Sequence, residues 1–163
     1  MKKYEILGAP FDFAAGTQGS SLAPSHLRQN GLSQRVGQRV RNWSAEIIDS
    51  GDISVNCDIK KLLEQKEIIK AVELYCKCVY ERVTHSYISG HTPVIIGGDH
   101  SITAGTIAAT NNYLLQKSNS NNLGVIWVDA HADLNNRANG NIHGKVAASI
   151  LGISAHNELN NIG

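Results

Sequence analysis

The sequence predicts an α/β fold built on a mostly parallel sheet, and three observations carry that expectation. Short β-rich runs alternate with segments of helical periodicity. Residues 123–128 form an almost continuous apolar run, as a strand buried on both faces should. The clusters Gly97-Gly98-Asp99-His100 and Asp129-Ala130-His131-Ala132-Asp133 each follow a β-rich run directly. In such sheets ligands bind beyond the carboxyl ends of the strands, where both clusters fall. The 163 residues fit one domain, able to bury roughly two-thirds of its unfolded surface.

Tyr4-Glu5-Ile6-Leu7-Gly8 reads as the first strand, running into a loop at Ala9-Pro10. A Gly/Ser/Thr-rich stretch follows; then Pro24 suits the first turn of a helix that Gly31 stops. Glu46-Ile47-Ile48-Asp49 is the second strand, closed by Ser50-Gly51-Asp52. From 59 to 86, Leu62, Ile69, Val72, Cys76, Val79 and Val83 recur at helical spacing, which predicts one long helix covering the sheet. Thr92-Pro93-Val94-Ile95-Ile96 is the third strand. Ser101 is placed to cap a helix over 102–116, and a polar tract from 117 to 122 connects it to the strand at 123–128. A further helix begins near 145.

Composition narrows the function classes. Fifteen Lys+Arg stand against 14 Asp+Glu, a formal net charge of +1 with no basic block, which argues against an electrostatic grip on nucleic acid or membrane lipid. No apolar run approaches the roughly 18 residues of a membrane span. Glu5, Pro10 and Asp12 interrupt any signal-peptide core, so a cytoplasmic protein is expected. Cys57, Cys76 and Cys78 are an odd set, read as free structural thiols.

Asp129, His131 and Asp133 are spaced two apart, so in an extended segment all three side chains face one point. Two carboxylates and an imidazole make a mixed O/N donor set that suits Mn²⁺ and also Zn²⁺ or Fe²⁺. The alternative is a solvated turn whose aspartates cap the next element. His100, alone, reads as a structural histidine; paired with the second cluster at the same sheet edge, it reads as a ligand. Gly97-Gly98 offers a phosphate loop as an alternative, but neither G-x-G-x-x-G nor G-x-x-x-x-G-K is present.

The two clusters resemble the N-terminal metal signatures of the ureohydrolase family, which includes arginase and agmatinase. Gly8-Ala9-Pro10-Phe11-Asp12, Gly19, Pro24, Leu27-Arg28 and Gly31-Leu32 are similar to the arginase N-terminus, and Asp49-Ser50-Gly51-Asp52 to its D-x-G-D turn. Leu134-Asn135 and Gly140-Asn141-Ile142-His143-Gly144 resemble the arginase substrate loop, although Asn139 stands where serine is usual and the loop is about three residues shorter. The match covers nearly the whole chain.

The resemblance implies a three-layer α/β/α fold of the arginase type. It also implies two Mn²⁺ ions: His100 and Asp133 binding one, His131 the other, and Asp129 bridging them. A hydroxide between the metals would attack the guanidinium carbon, taking arginine and water to ornithine and urea, with agmatine or another guanidino compound as the alternative substrate. Asp133 would orient the hydroxide and His143 would shuttle a proton. Asn135, Asn139 and Asn141, with His131 and His143, would contact substrate. The family's second carboxylate motif, S-x-D-x-D-x-x-D-P, is not in these 163 residues. The expectation is therefore the N-terminal portion of a single ureohydrolase domain, inactive alone, or a non-catalytic remnant. Full-length relatives are homo-oligomers.

Overall fold

The computed structural model describes residues 1–118, 122–137, 141–154, 159 and 162. Its sheet has three parallel strands in the order β2-β1-β3: β1 spans Lys2–Ala9, β2 Ala45–Asp52 and β3 Thr92–Gly97. In the central strand, Tyr4 pairs with Ile47 on one side and Thr92 on the other, and Ile6 with Asp49 and Val94. Parallel neighbours need long crossovers, and the helices supply them. α1 (Ala23–Gln29) and α2 (Leu32–Val40) lead from β1 to β2, and α3 (Cys57–Glu64) and α4 (Ile68–Ile88) from β2 to β3.

Alternation along β1 sends successive side chains to opposite faces. Leu7 and Ala9 join Val72, Tyr75, Val79 and Val83 of α4 in the main core. Tyr4 and Ile6 line an apolar groove with Leu32, Val36 and Val40 of α2. The sequence reading stopped its first helix at Gly31, which sits at φ 78 between α1 and α2, and α2 follows at once. The long helix expected over 59–86 is two helices. Lys66 breaks it at φ 60, and Glu67 N–H reaches back to the Leu62 carbonyl. Asn56 starts α3 by accepting the Ile59 N–H.

α5 (Thr103–Ser118) packs on α4 so closely that a Cβ at Gly105 would lie 2.2 Å from the Cys76 carbonyl oxygen. α6 is short, Val146–Ile150, and is preceded by a 3-10 turn over Ile142–Lys145.

One expectation is overturned. Residues 123–128, whose apolar run predicts a strand buried on both faces, join no ladder among the described residues. Ile126 and Val128 are each 92% exposed, while Leu123 and Trp127 on the alternate positions are partly covered. Apolar continuity signals that a segment is suited to burial; it does not supply the neighbouring strands that would bury it.

The sheet's α4 face holds a buried charge. Glu5 is 4% exposed, with Arg82 Nη2 donating to one oxygen at 3.2 Å and His91 Nδ1 lying 3.1 Å from the other. Burial pushes this carboxyl up, but hydrogen bonds from Ser50, Ser86 and His91 and the Arg82 charge outweigh it and hold it at about 2. The unfolded carboxyl titrates first, near 4.5, so Glu5 stabilises the fold fully above that pH and its contribution is lost as pH falls towards about 2. Denaturation midpoints measured from about pH 6 to about pH 2 should therefore fall with acid, and Glu5→Gln should flatten that slope. An unchanged slope would contradict the assignment.

Gly98 makes a second prediction. A Cβ there would lie 1.9 Å from the Phe11 carbonyl oxygen and 2.8 Å from that of Ala9, both backbone atoms. Gly98→Ala should destabilise the chain by more than about 2 kcal/mol, read as a lowered unfolding midpoint.

Candidate metal centre

β3 ends at Gly97, and the chain turns through Gly98 and Asp99 into a 3-10 turn over His100–Ile102. Asp99 caps this turn, with Ser101 inside it and α5 beginning at Thr103. Asp99 Oδ1 accepts the Ser101 N–H at 2.9 Å and the Ser101 hydroxyl. The turn carries His100 to the sheet edge, where its Nε2 lies 3.5 Å from Asp133 Oδ2 and 3.9 Å from Asp129 Oδ2.

The 129–133 segment reaches this point by a route that the spacing argument did not foresee. It is bent, not extended: Asp129 Oδ1 accepts the His131 N–H at 2.9 Å, closing a tight local turn. Asp133 lies at φ 51, in the left-handed region that aspartate tolerates better than most residues. The two carboxylates therefore converge with His100, but the imidazole between them does not. The His131 side chain is 83% exposed, its Nδ1 3.7 Å from Asp129 Oδ1. The expectation that all three side chains face one point is corrected for that reason. Asp133 is 7% exposed because its carbonyl accepts the Ala148 N–H and the next turn is tied by Asn135 N–H to the Gly144 carbonyl.

His143 is brought in by the 3-10 turn before α6, which Asn141 caps by accepting the His143 N–H at 3.1 Å. Its ring stacks on His100, centroids 3.7 Å apart and planes 20° from parallel. Burial, and then the neighbouring His100, lower the His143 pKa, favouring the neutral imidazole. Asn135 is exposed, with Oδ1 accepting the Arg137 N–H at 3.1 Å. Asn139 lies outside the described residues.

The sequence reading missed Trp127, whose ring meets His100 edge-on at 5.6 Å. The run 123–128 carries no local sign of it, because every position but Gly124 is apolar.

His100, Asp129 and Asp133 each offer a ligand atom, all within 4.8 Å of one another. Asp133 Oδ2 and the Nδ1 atoms of His100 and His143 are buried without a hydrogen-bond partner. Such orphaned polar atoms are costly in a folded interior. Asp129 is held below the usual carboxylate range, first by the His131 N–H and then by the histidines around it. Two carboxylates and an imidazole aimed at one point are a hard, anionic donor set, which fits a divalent cation.

The model of the arginase family matches residues 2–163. The chain is 37% identical to the arginase of Brevibacillus brevis, over 99% of the chain and 52% of that protein. It is 33% identical to the arginase of Bacillus subtilis, again over 99% of the chain and 52% of the relative. The crystal structure of the Bacillus subtilis arginase superposes with a TM-score of 0.76 at 31% identity, covering 99% of this chain and 50% of that one. The arginase from Bacillus caldovelox gives 0.76 at 31%, covering 100% and 53%. The chain spans about half the length of the curated relatives it matches. With its parallel sheet, its paired clusters and a family match from end to end, the chain belongs to the arginase family.

Proposed function

We propose that residues 1–163 are the N-terminal portion of a single ureohydrolase domain that hydrolyses arginine to ornithine and urea with Mn²⁺. The observation that carries this reading is the convergence of His100, Asp129 and Asp133, with Asp133 Oδ2 buried and unpartnered, in a chain 33% and 37% identical to arginases.

His100, Asp129 and Asp133 would hold the cations, with His131, now exposed, as the further ligand that the resemblance implies. When bound, the cations lower the pKa of water and so supply hydroxide near neutral pH. The chain's own residues do the rest. Asp133 accepts a hydrogen bond that orients the attacking oxygen. His143, neutral and beside the cluster, takes and returns a proton at its imidazole nitrogen. Asn135 and Asn141, with Asn139 as the resemblance implies, would offer amides to the amino-acid end of the substrate, a neutral way to hold an α-carboxylate. That end distinguishes arginine from agmatine, which lacks the carboxylate. In sequence, Gly140-Asn141-Ile142-His143-Gly144 supports arginine.

A second reading, a non-catalytic remnant, is favoured by one observation. Only three donors meet at the centre among the described residues, fewer than the roughly six that a hard octahedral cation takes. The 163 residues alone should bind Mn²⁺ weakly and release no urea.

The purified chain is assayed with Mn²⁺ and arginine, with and without the separately produced second half of the Bacillus subtilis arginase. Urea should form only in the mixture. Turnover by the chain alone at ordinary rates would overturn the incomplete-site reading; agmatine outrunning arginine in the mixture would overturn the substrate; no urea from either substrate would favour the remnant.

A further inference from the structure

We propose that Asp99 is a positioning residue: it ties the turn carrying His100 to the loop after β1, so that this loop sets the place of a ligand of the candidate centre. The inference rests on the reading of His100 as a metal ligand.

Asp99 is 5% exposed and its carboxylate is filled from both sides. Oδ1 accepts the Ser101 N–H and hydroxyl. Oδ2 accepts the N–H groups of Ala14 at 2.9 Å and Ala15 at 3.1 Å. The backbone adds two more ties across the same gap, from Asp99 N–H to the Phe11 carbonyl and from Gly98 N–H to that of Ala9. Residues on both sides of His100 are therefore anchored, either directly to the β1 loop or through Asp99.

The anchoring matters because of what His100 lacks. Metal-binding histidines are ordinarily oriented by a hydrogen bond from the ring nitrogen that does not face the metal. Here Nδ1 of His100 is buried with no such partner. Its ring is set by the stack on His143, the edge of Trp127 and the fixed backbone beneath it. Nε2 faces the Asp133 and Asp129 carboxylates at 3.5 and 3.9 Å, and Asp99 is the charged group that fixes the backbone.

The other end of the loop is held by a matching device. Asp12, 2% exposed, accepts the N–H groups of Gly19 at 2.7 Å and Ser21 at 3.0 Å. Between the two carboxylates, Gly16 faces the turn that bears His143: a Cβ there would lie 4.0 Å from Asn141 Nδ2. Asp99 thus fixes the His100 turn and one wall of the site together, whereas Asp12 pins the same loop with no hydrogen bond to that turn.

This difference provides the test. In Asp99→Asn, whichever way the amide sits, its NH₂ faces two donors. Asp12→Asn is the matched control, a buried carboxylate with a similar pair of backbone donors. Unfolding midpoints, Mn²⁺ affinity from the paramagnetic resonance of free Mn²⁺, and amide hydrogen exchange are measured on the full chain. Both variants should be destabilised, but Asp99→Asn should also weaken Mn²⁺ binding by about tenfold or more, against less than about twofold for Asp12→Asn. Exchange at Ala14, Ala15 and Ser101 should rise only in Asp99→Asn. Equal Mn²⁺ losses in the two variants, or an unchanged affinity in Asp99→Asn, would overturn the proposal. If Asp99→Asn does not fold, Ser101→Ala removes one donor, and the same comparison applies with a smaller loss expected. If the unaltered chain binds no Mn²⁺, the metal reading of His100 fails; His100 ring shifts and exchange protection then decide, and ring shifts left unmoved by Asp99→Asn would overturn the positioning role.

Discussion

Two carboxylates brought together at the end of a sheet repel each other until a positive charge offsets them, and the site is organised around that constraint. Asp129 and Asp133 are held near His100 by local backbone geometry: an aspartate turn at 129–131, a left-handed residue at 133 and a 3-10 turn at 100–102. Each device spends conformational freedom to converge like charges. Such convergence is stable when a cation occupies the shared point, and costly otherwise. The parallel sheet makes it possible because the chain leaves β3 at the same edge where the 129–133 segment arrives.

Much of the fold was legible because its signals are local. The three β-rich runs at 4–8, 46–49 and 92–96 became β1, β2 and β3, the first two extended by three or four residues and the third by one. Helical spacing located the cover of the sheet, but it could not show the break at Lys66, because a single left-handed residue leaves the apolar period intact. The strand read at 123–128 failed for the opposite reason. Its pattern is right, but pairing depends on neighbours that no local pattern encodes, and Ile126 and Val128 remain in solvent.

The site was legible in its residue types more than in its geometry. His100, Asp129 and Asp133 lie together, and His143 stacks into the same group. Alternation misplaced His131 because the segment bends at Asp129, where an aspartate side chain competes with extended backbone for the next N–H groups. Trp127 and Asp99 went unread for another reason. Their roles lie in contacts across the fold, with His100 in one case and with Ala14 and Ala15 in the other.

The central claim, that these side chains are arranged to share a divalent cation, is tested most directly by diffraction. Crystals of the chain soaked in Mn²⁺ and measured at the manganese absorption edge should show an anomalous peak bound by His100 and Asp133, with Asp129 reaching it. A soaked crystal with no peak there, and with Asp133 and His100 satisfied instead by hydrogen bonds to the protein, would contradict the account.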